Sequence, residues 1–591
     1  MRGVCLAVWT TRARKAWPGA TRVGLRAGMA VLCLWMAFSA AAFAQRVPIP
    51  STAEPGTVER SIPLQQIPET SGQDLRVPTA PPTKAPAGSE SVLFNISEIQ
   101  IVGATALSQE QLADTYADLL GTRVSLSELY GVANAITAKY AAAGYALCFA
   151  LVPAQQIKDG VVRIQVIEGF VARIVLDNKH PPVPPTIAAY GWRLLHSRPL
   201  RTADLERYLL LANDIPGYTA KAVFDRLPDR NAEPGATQLI LHIERRIADG
   251  TITADNRGSR TLGSLRGDAF VSLRSIFGLG EEFQFHTLQS VHPGLLNYYS
   301  GLMSMPVDGE GTRFSQSLSY SRTLPTIAAL GAGNFRGTTL IANWNVEHPL
   351  VRSRAESWWV SAGITAKSLD GAVLDVPDSE DRIYVANVAT TYMTNADTST
   401  TYLHFTINQG LPVFDATTSI SPLRSRSSGS GVYTSTVLDL ARRQDIWGPF
   451  DSLISFNGQW ASRGLLASEQ CGYGGAVYGR AFDDSELVGD ECVMGSTELR
   501  FAPFALFGRQ PQLLSLFQLY GFYDAGIVWE RGAILSGEKQ SEVGQSYGGG
   551  LRVGLSMGFS ASVEYAQPIT HDVADNGSRR GRIFGSLKLD L

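Results

Sequence analysis

Arg480 is a single cation set among five carboxylates, Asp483, Asp484, Glu486, Asp490 and Glu491. Acidic side chains grouped this closely could work as a general acid/base pair or hold a calcium ion. No EF-hand-like spacing accompanies them, so a solvated loop face is the simpler reading. The eight histidines are widely spaced, without an H-E-x-x-H. Gly548-Gly549-Gly550 lacks the Lys of a phosphate-binding loop. The sequence therefore predicts no enzyme, no metal and no cofactor. The setting of Arg480 is more informative. Gly472, Gly474 and Gly475 lead into Tyr478-Gly479-Arg480-Ala481-Phe482, and Ser496 to Phe501 reads as a strand-like exit. That is a long irregular loop between two strands, a kind usually kept for function. Downstream, Phe522-Tyr523-Asp524-Ala525-Gly526 offers a carboxylate on another strand.

Composition narrows the compartment. The net charge of −3 gives no reason to expect a nucleic-acid partner. Charged residues are 18% of the 591, below the roughly 25% of soluble proteins, and glycines number 57. This balance fits a β-rich membrane protein better than a helical one. Arg12, Arg14, Lys15, Arg22 and Arg26 precede an apolar Ala27–Phe43. Ala42-Phe43-Ala44 before Gln45 has the form of a signal-peptidase site, so residues 1–44 are expected to be removed on export. A membrane anchor is the rival reading, but the apolar stretch is at the short limit for a span. Cys33 has no convincing lipobox. No later segment is apolar for long enough to cross as a helix. Of the five cysteines, Cys5 and Cys33 leave with the leader, and Cys148 stands alone in an apolar strand. Cys471 and Cys492 bracket the loop in an oxidising compartment, which predicts a disulfide contributing about 3 kcal/mol by loop closure.

The elements that must position the loop follow from periodicity. Residues 45–92 carry nine prolines and read as an extended linker, with room only at Gly56–Ser61 for a turn or two of helix. Residues 93–168 read β-α-α-β-β. A strand ends at Gly103, and Ser108 with Gln111 opens a helix to Leu120. Ser125 with Glu128 opens a second to Ala143, and Tyr145–Val152 with Val161–Ile167 forms a hairpin. Residues 169–246 repeat the pattern, with Thr202 expected to cap the helix Ala203–Asn213. From Ile247 to Leu591 helical periodicity gives way to alternating segments separated by Gly, Asn, Asp and Ser. Trp358, Val360, Ala362 and Ile364 share one face, and Ile583, Gly585, Leu587, Leu589 and Leu591 another. Strands with one apolar and one polar face, at about 20 residues per strand and turn, predict a barrel of roughly 16 to 18 strands.

The whole chain resembles the outer-membrane transporters of two-partner secretion, the ShlB/FhaC/HecB-like haemolysin secretion/activation family. In that family a V-R-G-[YF] tetrad at the tip of an inward sixth loop meets an F-x-D-x-G strand. By resemblance Arg480 carries the tip, between Tyr478-Gly479 and Ala481-Phe482, and Asp524, flanked by Phe522 and Gly526, receives it. Ala481 stands where the family has Gly. The segments Val152–Val171 and Leu205–Gly217 resemble the family's two POTRA modules, and Asp255–Gly263 resembles the opening of its barrel. Leu591 departs from the usual terminal aromatic. The resemblance implies two periplasmic α+β POTRA domains (93–168 and 169–246), then a 16-stranded antiparallel transmembrane β-barrel (247–591) with an inward loop near 472–495. It implies a pore in outer-membrane lipid for a large secreted exoprotein (an adhesin, haemolysin or toxin), inserted by barrel-assembly machinery. The related barrel-assembly factors are the alternative, and a plug helix ahead of the linker is a further family feature.

Overall fold

The computed structural model describes residues 51–54, 56, 58–59, 82–178, 183–229, 231–326, 334–504, 512–532, 539–574 and 577–591. The leader and the cleavage site at Ala44 and Gln45 lie outside the described residues, as does most of the 45–81 stretch.

In the first module, strand Glu98–Val102 runs parallel to Val161–Ile167, which pairs antiparallel with Phe149–Leu151. Helices α1 (Gln109–Leu112) and α2 (Leu126–Ala142) each open on a capping box, Ser108 with Gln111 and Ser125 with Glu128. The α2 stripe Leu129, Val132, Ala133, Ile136 and Tyr140 is buried with Ile99, Val162 and Ile164. Two expectations need correction. The helix expected to reach Leu120 is only four residues long and dissolves into two 3₁₀ turns ending at Leu119. The Thr115 hydroxyl donates to the Leu112 carbonyl at 2.6 Å, competing with the helical ladder. The strand expected from Tyr145 starts at Phe149. Gly144, at φ 87, ends α2, and the Cys148 amide donates back to the Tyr145 carbonyl at 3.0 Å to form a turn.

The second module repeats the sheet order with Phe170–Asn178, Tyr218–Arg226 and Ala236–Arg245. Its helices are α3 (Pro185–His196) and α4 (Thr202–Asn213). Thr202 is the first residue of α4 and not its cap. Its backbone amide donates to the Gly144 carbonyl at 2.8 Å and its hydroxyl accepts from the Ala146 amide at 3.4 Å. The residue expected to start a helix therefore joins the two modules.

Sixteen antiparallel strands then close into a barrel, the first (Ala248–Asp255) pairing with the last (Arg582–Asp590) from Thr251↔Asp590 to Asp255↔Ser586. Trp358, Ile364, Ile407, Ile583 and Leu587 are exposed on the outer face. Thr365, Thr406 and Asn408 face inward, the alternation of a lipid-facing wall around a polar lumen. Among the described residues no helix is long and apolar enough to cross a membrane; the strands do so. The linker's described residues between Ser51 and Glu59 lie inside the barrel, whereas Thr83 bonds to Asn134 and the Ala150 carbonyl of the first module. The Ser51 hydroxyl donates to the Glu486 carbonyl at 3.1 Å, and Val58 is buried with Leu288, Leu296 and Tyr298.

Candidate functional site: the inward loop and its wall

The wall is built by register. On strand Leu514–Trp529, Tyr520, Phe522, Asp524 and Gly526 point inward. Strand Ser541–Leu555 sets Gly550, Gly548, Ser546 and Gly544 opposite them. A small residue faces each large one, and that leaves room. A Cβ on Gly548 would meet the Phe522 ring at 2.6 Å, and one on Gly550 the Tyr520 ring at 2.7 Å. Across the other edge, strand Glu491–Phe501 aligns Met494, Ser496 and Glu498 with Gly526, Asp524 and Phe522.

The 462–490 segment folds inward onto this wall. It was expected to be irregular, but Cys471–Tyr473 pairs with Leu487–Gly489 as a short hairpin. A disulfide joins Cys471 to Cys492 on the wall strand. The tip lies beyond the hairpin. Its left-handed backbone falls on Gly479 (φ 74), so Ala481 occupies an ordinary conformation. Ala481 and Phe482 are buried among Leu487, Met494 and Phe584, with Tyr478 packed alongside.

Arg480, 4% exposed, makes the main contact. Its backbone amide donates to Asp524 Oδ2 at 2.9 Å, Nε donates to the same oxygen at 3.2 Å, and Nη2 donates to Oδ1 at 3.1 Å. Nη2 also donates to Ser496 Oγ at 2.8 Å, and Nη1 to Glu498 Oε2 at 2.6 Å. The guanidinium lies 3.7 Å from the Phe522 ring centroid, a cation–π contact. Asp524 is fully buried and also accepts from Ser496 Oγ at 2.8 Å. Every polar edge of the guanidinium is matched, and only Arg has that fork.

The five loop carboxylates do not surround Arg480, and no solvated acidic face forms. Asp483 accepts from Arg582 at 2.7 Å and Asp484 from Arg266 at 2.9 Å. Glu486 accepts from the backbone amides of Asp483 (2.9 Å) and Ala574 (2.7 Å). Asp490 accepts from Arg426 at 2.6 Å and from the amides of Leu465 and Arg531, while Glu491 pairs with Arg531 at 2.7 Å. The loop is thus pinned at its tip, flank and base. Sequence reasoning missed Glu498, Arg552 and Tyr473. Glu498 was legible as the middle of the inward alternation Ser496, Glu498, Arg500. It is neutralised from its far side by Arg552 Nη1 at 2.7 Å.

A model of the haemolysin secretion/activation protein ShlB/FhaC/HecB matches residues 235–554, and a ShlB-type POTRA domain model matches residues 94–169. The chain belongs to the ShlB/FhaC/HecB family. It is similar to the heme/hemopexin transporter protein HuxB of Haemophilus influenzae, 24% identical over 82% of this chain and 85% of the relative. It is also similar to the outer membrane transporter CdiB of Dickeya dadantii, 20% identical over 72% and 75%. The solved structure of CdiB from Escherichia coli superposes with a TM-score of 0.69 at 19% identity, over 90% of this chain and 95% of that one. CdiB from Acinetobacter baumannii superposes at 0.61 and 16%, over 88% and 95%. As a family member the protein is an outer-membrane transporter of two-partner secretion, with POTRA modules in the periplasm and a secreted protein as its partner. The family is one of secretion channels, and the match decides against the barrel-assembly alternative.

Proposed function

We propose that the POTRA pair captures an unfolded exoprotein and feeds it through the barrel to the cell surface, with Arg480 setting the loop's place in the lumen. The observation that carries this reading is Arg480 itself, bound to Asp524, Ser496 and Glu498 on a wall that belongs to the pore. Capture is by strand addition, because backbone hydrogen bonds take an unfolded chain without demanding one sequence. The edges of the second sheet, Phe170–Asn178 and Tyr218–Arg226, support it, each nine residues long. The cargo is a large exoprotein of the adhesin, haemolysin or toxin kind, a reading supported by the family's description as haemolysin secretion/activation proteins. The periplasm holds no ATP, so folding outside the cell supplies the pull. Residues 1–44 are removed on export, and barrel-assembly machinery inserts the mature chain.

The test is secretion of a candidate large exoprotein co-expressed in an outer-membrane host, with and without this chain. Arg480→Ala should leave the barrel inserted and heat-modifiable yet abolish or sharply lower the exoprotein in the medium. Normal secretion by that variant would remove the role assigned to Arg480, and secretion independent of the chain would remove the function.

A further inference from the structure

The lipid-facing wall carries an arginine that the protein itself does not use. On strand Arg313–Thr323, Ser321 and Thr323 are buried toward the lumen, so Arg322 between them points outward and is exposed. It makes no hydrogen bond, ion pair or ring contact among the described residues. Its in-register neighbours, Asn297 on one side and Thr338 on the other, leave their side chains unbonded as well among the described residues. Two residues before Thr338, on the same face, Arg336 meets only the highly exposed Asp375, at 3.5 Å, a weak surface contact. Asp370, which follows Thr338 in the row, is already held by Arg382 at 2.8 Å. What is left unspent at this spot is positive.

Its height on the barrel is fixed by the strands. The second POTRA module meets the 307–312 turn, where Arg193 pairs with Glu310, so the opposite ends of these strands lie at the outer surface of the membrane. From Phe314 to Arg322 the strand advances by about 3.3 Å per residue, and at a tilt of about 40° it climbs about 20 Å. The apolar band of such a barrel is about 25 Å tall, which sets Arg322 at its outer edge. Directly below, Tyr299 and Tyr320 face each other in register, both exposed, as an aromatic girdle requires. Gln289 Nε2 donates to the Tyr299 hydroxyl at 3.1 Å. One row lower, Gly301 stands between the exposed Phe285 and Leu318. A Cβ on Gly301 would meet nothing nearer than the Gln284 carbonyl oxygen at 4.0 Å, so the gap is an open furrow on the lipid side.

We propose that this spot binds one molecule of lipid A, the phosphorylated glycolipid of the outer leaflet: Arg322, with Arg336 beside it, takes a glucosamine phosphate, and an acyl chain lies in the furrow at Gly301. The arginine fork matches phosphate oxygens in two-pronged geometry. On the lipid face of a barrel a cation is destabilising at the midplane and nearly neutral at the interface. Arg322 therefore stands at the height where its charge is tolerated and where the lipid phosphates lie. Asn297 and Thr338 flank it with hydrogen-bonding groups for the sugar. A free phosphate would use the arginines and leave the furrow empty; the lipid uses both.

The full chain is refolded into detergent micelles free of lipid, and added lipid A that stays bound is counted by native mass spectrometry, at equal amounts of heat-modifiable barrel. The wild type should retain one molecule. Arg322→Gln should weaken retention about tenfold, the loss of one charge-assisted phosphate contact, and Gly301→Leu, which fills the furrow, about fivefold. Arg442 is an exposed outward arginine near the periplasmic end of strand Thr434–Trp447. Arg442→Gln should change retention by less than about twofold. Lipid A stripped of its phosphates should bind the wild type about tenfold more weakly and be indifferent to Arg322→Gln. No retained lipid, equal losses for Arg322→Gln and Arg442→Gln, full retention by Gly301→Leu, or dephosphorylated lipid A bound as well as the intact form would overturn the site. Displacement of the lipid by millimolar inorganic phosphate would overturn it too, because it would reveal a free-anion site in which the acyl chains have no part.

Discussion

Asp214, the residue that closes α4, is chelated by Arg352 of the barrel, whose Nε and Nη2 each donate to its carboxylate at 2.7 Å. Arg207 adds bonds to the Pro349 carbonyl at 3.0 Å and the Leu350 carbonyl at 3.3 Å, and Arg193 pairs with Glu310 at 2.6 Å. The second POTRA module is therefore docked on the barrel mouth and not merely tethered by the chain.

The Arg352 side chain is 3% exposed, so deleting Asp214 removes a two-pronged carboxylate from a nearly dry cation, at about 3–5 kcal/mol. Asp214→Ala should make the junction between module and barrel protease-sensitive while the barrel stays heat-modifiable, and secretion should fall. Asp214→Ala combined with Arg352→Ala should cost less than the two single changes added together. Strict additivity in protease protection would show that the pair does not couple the module to the barrel.

A second relationship concerns Tyr473, fully buried in the loop hairpin. Its ring lies against Gly479 of the tip and against Gly526 and Gly544, which face each other in register on the wall. A Cβ at any of the three would collide with the ring. Gly544→Ala should therefore displace the loop, an overpacking cost of about 1–3 kcal/mol, and raise pore conductance in planar bilayers. Removing the ring as well, with Tyr473→Ala, should restore the fit at Gly544. Identical conductance for Gly544→Ala and the double variant would contradict a ring-in-socket contact.

These relationships show what the sequence could and could not carry. Strand alternation and the two capping boxes are local patterns, so the barrel and α2 were legible residue by residue. Arg480 and Asp524 were legible only because a motif marks them. The partners of the loop carboxylates were not: Arg266 lies 218 residues from Asp484 and Arg582 lies 99 from Asp483, and only closure of the barrel brings them together. Thr115 and Thr202 misled for another reason. A threonine hydroxyl can cap, break or bridge, and its tertiary neighbours choose.

The Cys471–Cys492 bond closes a ring around the tip, from the loop hairpin to the wall strand, across 21 residues of sequence. Once residues 1–44 leave as proposed above, Cys148 is the remaining thiol. Unfolded without reductant, the mature protein should label at one thiol, and at three after reduction. Cys471→Ser should cost about 3 kcal/mol of loop-closure stability and lower the temperature at which the loop becomes protease-sensitive. Three thiols before reduction would mean that the ring does not form.

Glu168, the last residue of the first POTRA module, predicts an acid sensitivity. Burial alone would push its carboxyl up, but its hydrogen bonds outweigh burial and hold it below the ordinary range. It accepts from the Thr105 hydroxyl, from the amides of Ala106 (2.8 Å) and Thr105 (2.7 Å), and from the Tyr140 hydroxyl (2.8 Å). A carboxylate with a lowered folded pKa stabilises fully above its unfolded value, about 4.3, and that contribution is lost as pH falls through the folded value. Cys148 reports on the same module. It is fully buried, and burial pushes its thiol up to about 11, so it should label only when the module opens. Urea titration of the full chain, followed by labelling with the acid-active reagent dithiodipyridine, should give a lower midpoint at about pH 3 than at about pH 6. Glu168→Gln should start from the lower midpoint at pH 6 and change little with acid, because the amide cannot regain the charge that the four donors favour. A wild-type midpoint indifferent to pH across that window would show that these hydrogen bonds do not favour the ionised form.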